Sequence, residues 1–165
     1  MPKLIKHGAV VEDDYTLVEP TDAGLELPAG NVLVKIATWL LHKGQISQHG
    51  GLKGVLLAPD EFAEAIAADL DQLNLIAVDF PAFADGRGYS TAYLLRTRYG
   101  FKGELRAVGD VIKDTIFYQS RCGFDSFVVR ADKDVDVALR GLKDFSESYQ
   151  ASADQLTPLF RRRLA

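Results

Sequence analysis

The stretch that decides the fold is LIAVDF (75–80), PAFADGRGYS (81–90) and TAYLLRTRY (91–99). Leu75–Val78 is a short, continuous apolar run bounded by polar turn residues, the pattern of a buried strand. Pro81 takes the backbone out of sheet pairing, and Gly86 and Gly88 flank Arg87 where the chain must bend. Ser90 then reads as the cap of a helix running to about Tyr99, with Gly100 as its stop. A strand, a Gly-Arg-Gly turn and a capped helix make an anion cradle. The helix start offers unpaired N–H groups and Arg87 offers a guanidinium fork. The predicted anion-binding residues are therefore Gly86, Arg87, Gly88 and Ser90, with Asp79, Asp85, Asp110 and Arg130 as neighbours at the strand ends.

Outward from this stretch a rhythm appears. Four apolar runs, Val55–Leu57, Leu75–Val78, Leu105–Val108 and Phe124–Val129, are each followed by a helical pattern. After the first, Phe62, Ile66 and Leu70 recur every four residues; after the third, Asp110 reads as the cap of a helix ending at Gly123. The last helix carries Val135, Ala138, Leu139, Leu142 and Phe145 on one face. Such alternation predicts an α/β fold, a mainly parallel sheet of four or five βα units, as an open sheet or a partial barrel. Both place ligands at the carboxyl ends of the strands.

The N-terminus reads differently. Lys3–Val11 and Tyr15–Val18 around Glu12-Asp13-Asp14 suggest a β-hairpin arm, and 19–31 is a loop rich in Pro and Gly. Residues 32–41 read as a strand passing into a helix that contains Trp39. The whole is a single domain, 1–165: an arm and loop (1–31), a βα core (32–149) and a polar tail (150–165).

Composition narrows the classes. A net charge of -4 argues against nucleic-acid binding, and Arg161–Arg163 reads as a solvated tail. No apolar run approaches the roughly 20 residues of a membrane span, and Met1–Lys6 does not open a signal peptide. A cytoplasmic protein is expected. The single cysteine, Cys122, excludes an internal disulfide and reads as an inert buried thiol. His7, His42 and His49 have no metal-ligand spacing, so no metal site is expected.

The chemistry centres on Arg87. Gly86-Arg87-Gly88-Tyr89-Ser90-Thr91 departs from the dinucleotide fingerprint by placing Thr91 where a third small residue belongs, and it is not a Walker A loop. A small oxyanion (phosphate, sulfate or sulfite) fits it better; the plainer alternative is an ion pair from Arg87 to Asp79 or Asp85. Asp79, Asp85 and Asp110 are candidate acid/base groups, although aspartates that open helices are first of all caps. Gln119 lies on an apolar helix face and needs partners if buried, while Phe117 and Arg121 point away from that face. The outward Phe117 suggests an interface and a homo-oligomer.

Phe80–Val129, with FADGRGYS (83–90) and AVGDV (107–111) as its most specific segments, resembles a bacterial family of unknown function. The resemblance extends backward through GVLLAPDE (54–61). Members of that family are labelled probable oxidoreductases involved in sulfite reduction and are encoded beside genes of assimilatory sulfate reduction. The resemblance implies a pathway, with sulfite reductase or its electron donor as partner, and carries no catalytic residues over. Since the residues themselves show no redox centre, the expectation is an accessory protein that binds a small oxyanion or docks on the reductase system. The alternative is an oxidoreductase with a borrowed flavin or nicotinamide cofactor.

Overall fold

A computed structural model describes residues 3–163. Its strands are β1 (Lys3–Lys6), β2 (Ala9–Glu12), β3 (Tyr15–Val18), β4 (Asn31–Lys35), β5 (Lys53–Leu57), β6 (Leu75–Phe80), β7 (Glu104–Gly109) and β8 (Ser126–Val128). They form one open, mostly parallel sheet, strongly curled into a half-barrel, in the order β2-β1-β8-β7-β6-β5-β4-β3. From β3 to β8 every strand lies parallel beside the next in the chain. The four apolar runs thus do lie parallel, as β5 to β8.

The N-terminal hairpin is not the one the sequence suggests. Lys6 pairs with Ala9 across His7 and Gly8, whose φ values of 49° and 76° give the doubly left-handed turn that suits a tight hairpin. The hairpin is therefore β1–β2, and β1 continues the sheet by pairing antiparallel with β8. Tyr15–Val18 forms the opposite edge, parallel to β4. His-Gly plays the part usually taken by Asn-Gly, which hid the turn.

Only Asp13 and Asp14 separate the ends of β2 and β3, the two edges of the sheet. Three Cα steps span at most about 11 Å. Edges joined so tightly must approach one another, and the sheet between them has to curl.

Strand alternation gives the sheet two faces. Val34, Val55, Leu57, Ile76, Val78, Leu105 and Phe127 point outward into the main core. There they meet Trp39 and Ile46 of α1 (Ile36–Ser47), Ala92 and Leu95 of α2 (Arg87–Thr97), Ile116 of α3 (Lys113–Arg121) and Ala138 of α4 (Val135–Gly141). The helix expected after β5 is instead a 3-10 helix, Ala63–Gln72, whose buried Ala63, Ile66 and Asp69 recur every three residues. Asp69 sets that phase: its carboxylate accepts from Trp39 Nε1 at 2.9 Å and pairs with Lys43. Burial pushes the Asp69 carboxyl up, but the bonds from Lys43 and Trp39 outweigh it and hold the group below its ordinary range. Phe62, expected on the buried face, is left exposed.

The inner face carries a small apolar cluster of Leu33, Leu75 and Ala77 beside a charged one around Arg106, a β7 residue only 1% exposed. Arg106 donates to Asp13 at 2.8 Å and to Glu104 at 2.9 Å, and its guanidinium lies 5.2 Å from the Tyr15 ring centre. Lys6 and Ser126 complete the group on Glu104, at 2.6 Å each. Burial pushes the Glu104 carboxyl up, yet Lys6, Ser126 and Arg106 together hold it below the carboxylate range.

The polar tail is tied down at two points, while Arg161 and Arg163 stay exposed. Arg121, buried and not outward, donates to the Gln150 carbonyl at 2.6 Å and pairs with Asp154; Arg162 of α5 (Leu159–Arg162) pairs with Glu147 at 3.0 Å. Phe117 is covered by the Phe145 ring at 4.9 Å, so it is not a free outward aromatic. Gln119 is fully buried, and its side-chain amide has no hydrogen-bond partner among the described residues. No helix among the described residues is long and apolar enough to cross a membrane.

Candidate functional site

The carboxyl ends of β4 to β8 form a charged rim, and Asp79 to Arg87 is its longest segment. Asp79 faces inward, while Phe80 turns outward into a ring cluster with Tyr89 at 5.1 Å and Phe124 at 5.7 Å. Gly88 serves that packing. A Cβ there would lie 2.7 Å from the Phe80 ring and 3.1 Å from Val78. The helix begins one turn earlier than the sequence suggests: Gly86 is the N-cap of α2, and Ser90 lies inside its first turn.

Arg87 is held by Asp85. The Asp85 carboxylate accepts the Arg87 backbone N–H at 3.1 Å, Nε at 3.0 Å and Nη2 at 2.6 Å, with the arginine side chain 58% exposed. The hydrogen bonds from Arg87 hold the Asp85 carboxyl below its ordinary range. An oxyanion at this turn has to compete with that carboxylate.

Asp79 has the opposite environment. Burial, and then the charge of Asp85, push its carboxyl up. It shares a cavity of about 180 Å³ with Lys35, Leu56 and Glu61 at the mouth of the inner face. Lys35 pairs with Glu19 at 2.6 Å, and Glu61 accepts from the Ala58 backbone at 2.7 Å. Next to Asp79 the chain passes through Gly109, whose φ of 91° and whose approach to Phe80 O and Asp79 Oδ1 leave no room for a side chain.

Asp110 does not cap α3. Its carboxylate takes Arg130 Nη1 at 2.5 Å, and Arg130 also grips Asp132 at 2.6 Å. The α3 cap is Ile112, whose N–H is met by the Thr115 hydroxyl at 3.2 Å. Both carboxylates push the Arg130 guanidinium pKa up.

The rim therefore brings together Asp79, Asp85, Arg87, Asp110 and Arg130. It does not bring the anion quartet to one point: Gly88, in the first turn of α2, packs against Phe80 and Val78, and Ser90 lines a cleft beside that helix with Tyr89 and Tyr93. Sequence reasoning passed over Lys35 and Glu61 at the mouth. It also missed Arg106 and Glu104, although two charges spaced by two within ELRAVG signal a polar patch on one strand face.

Two further residues stand out on the rim. Phe62 and Phe83, in the loops after β5 and β6, are 65% and 62% exposed. They flank the charged groups, and the charge of Asp60 reaches Arg87 from the Phe62 loop.

A family model described as a bacterial protein of unknown function (DUF934) matches residues 54–160. No curated protein matches the chain.

Proposed function

Because the chain belongs to that bacterial family of unknown function, its role has to be argued from its own rim, and we propose a docking role. In this reading it is a cytoplasmic accessory protein of assimilatory sulfite reduction that docks on sulfite reductase or its electron donor. The observation that carries docking is the pair Phe62 and Phe83, two exposed aromatic rings on adjacent loops around the Asp85–Arg87 pair. Aromatic side chains and arginine are the groups that anchor protein interfaces. The rim's carboxylates (Asp60, Glu61, Asp79, Asp85, Asp110, Asp132) outnumber its cations (Lys35, Arg87, Arg130), which suits a partner with a basic surface. The pathway rests on the family resemblance alone.

A second reading keeps the small oxyanion. Arg87 is the most solvent-open cation of the turn, and its fork can exchange Asp85 for sulfite or sulfate.

Purified sulfite reductase and its electron donor, each titrated onto the full chain by biolayer interferometry, test docking. Expected is saturable, salt-sensitive binding to one of them, weakened about tenfold or more in the double variant Phe62→Ala, Phe83→Ala. No binding to either, or binding that ignores both rings, overturns it.

A further inference from the structure

Helices α2 and α3 lie with two tyrosine-bearing ladders facing each other. On α2, Tyr89 and Tyr93 stand four residues apart on one face; on α3, Tyr118 and Cys122 do the same. Cys122 closes the α3 ladder as the C-cap of that helix. Between the ladders opens a cleft of about 490 Å³, walled on its third side by Ala151 and Ser152 of the tail. That wall is fixed, since the buried Arg121 holds the Gln150 carbonyl at 2.6 Å. The volume falls in the range of small-molecule sites.

The lining has a definite chemistry. The Tyr89 and Tyr118 rings approach to 5.1 Å at an interplanar angle of 51°. Tyr93 is 42% exposed and Tyr118 55%, so both present free ring surface to the cleft mouth. Hydroxyls of Ser90, Tyr93, Tyr118 and Ser152 stand around the rings, and the Cys122 thiol lies beside Tyr118. Among the described residues, no ionised side chain lines the cleft. Burial pushes the Cys122 thiol up, which keeps it neutral too.

We propose that this cleft binds a flat, uncharged heteroaromatic ring, stacked on Tyr118 and Tyr93 with its polar edge bonded to the surrounding hydroxyls. Tyrosine faces favour offset or edge contact with another π-system, and hydroxyls both donate and accept, as a heterocycle's edge requires. Charged groups at the wall would instead favour an ion, and a purely apolar wall a lipid or alkyl chain. The site is separate from the rim and does not depend on the docking reading. Isoalloxazine, nicotinamide and purine rings share the chemistry.

The test titrates riboflavin, 1-methyl-1,4-dihydronicotinamide and adenosine, each carrying one of the three rings and no phosphate, separately into the protein and follows the heat of binding by calorimetry. Saturable binding of one or more is expected, and the one that binds tightest identifies the ring. Tyr118→Ala and Tyr93→Ala should each weaken it roughly 5- to 150-fold, while Tyr118→Phe, which keeps the ring, stays within about threefold. Melting curves check that the variants are folded. As an independent reading on the unaltered protein, saturating ligand should raise the melting temperature in step with its occupancy. Absence of saturable binding by all three, affinity unchanged in both alanine variants, or a melting temperature that ignores saturating ligand overturns the proposal.

Discussion

Arg106 and Arg87 make the same pairing in two different settings. Each grips a carboxylate two residues earlier in the chain, Glu104 in one case and Asp85 in the other. Arg106 is 1% exposed on the inner face of the sheet, and its partners come from β7, β8, β3 and the link between the sheet edges. Arg87 is 58% exposed, and among the described residues its guanidinium bonds only to Asp85. One pair joins distant parts of the chain; the other braces its own loop. Ion pairs in water are worth little, whereas removing one partner of a buried pair leaves a charge that cannot be hydrated.

The largest effect should therefore come from Arg106→Met. It strips the counter-charge from Asp13 and leaves Glu104 with Lys6 as counter-charge and the Ser126 hydroxyl, both carboxylates on a face closed by Tyr15. Denaturant unfolding should show a loss of about 3–5 kcal/mol. A loss under about 1 kcal/mol would mean that water reaches this network and that the comparison with Arg87 fails.

Gly88→Ala comes next. Its Cβ would meet the Phe80 ring at 2.7 Å, whereas a Cβ on Gly86 meets nothing nearer than 4.0 Å. Overpacking of this kind costs about 1–3 kcal/mol, and Gly86→Ala should cost clearly less. Equal losses for both would assign the two glycines to the turn itself rather than to helix packing.

These two glycines also show what the sequence can reveal. Both read alike in Gly-Arg-Gly, because a turn motif records permitted backbone and not what lies beneath it. The parallel core was legible because each of β5 to β8 is an apolar run with a helical pattern after it. The hairpin was not, since His7 takes a left-handed φ that few residues other than glycine adopt. The 3-10 phase after β5 was hidden as well: it depends on Asp69 meeting Trp39, a contact 30 residues apart. Asp79, Asp85, Asp110 and Arg130 lie at or just beyond the carboxyl ends of strands because topology puts them there. Which carboxylate takes which arginine is a matter of tertiary geometry.

A smaller effect, confined to alkaline pH, should separate the two regions again. Burial first, then the charges of Glu104 and Asp14, push the Tyr15 phenol from 10.0 up to about 12. The folded chain thus keeps this proton between pH 10 and 12, where the unfolded chain releases it. The associated stability is fully present below pH 10 and drains away as pH rises toward 12. Tyr15→Phe should show a shallower alkaline loss in pH-dependent unfolding than the parent. An identical slope would place the Tyr15 hydroxyl in free contact with water.

The smallest stability effect should belong to Arg87→Ala, and it is the one that speaks to ligand binding. A solvent-exposed pair of this kind should shift the Tm by no more than about 2 °C. The informative partner is Asp85→Asn, which keeps the side-chain shape and removes the charge that competes for the guanidinium. If the turn takes an oxyanion, calorimetric titration with sulfite should show affinity in the parent and tighter binding, by up to about fivefold, in Asp85→Asn. Arg87→Ala should abolish the response in either background. Sulfate and phosphate serve as controls for selectivity, because the fork accepts any of the three and only the hydrogen-bond geometry around it can discriminate. Should neither the parent nor Asp85→Asn respond to any of these anions, Arg87 is a loop brace, and the rim's function rests on its aromatic rings.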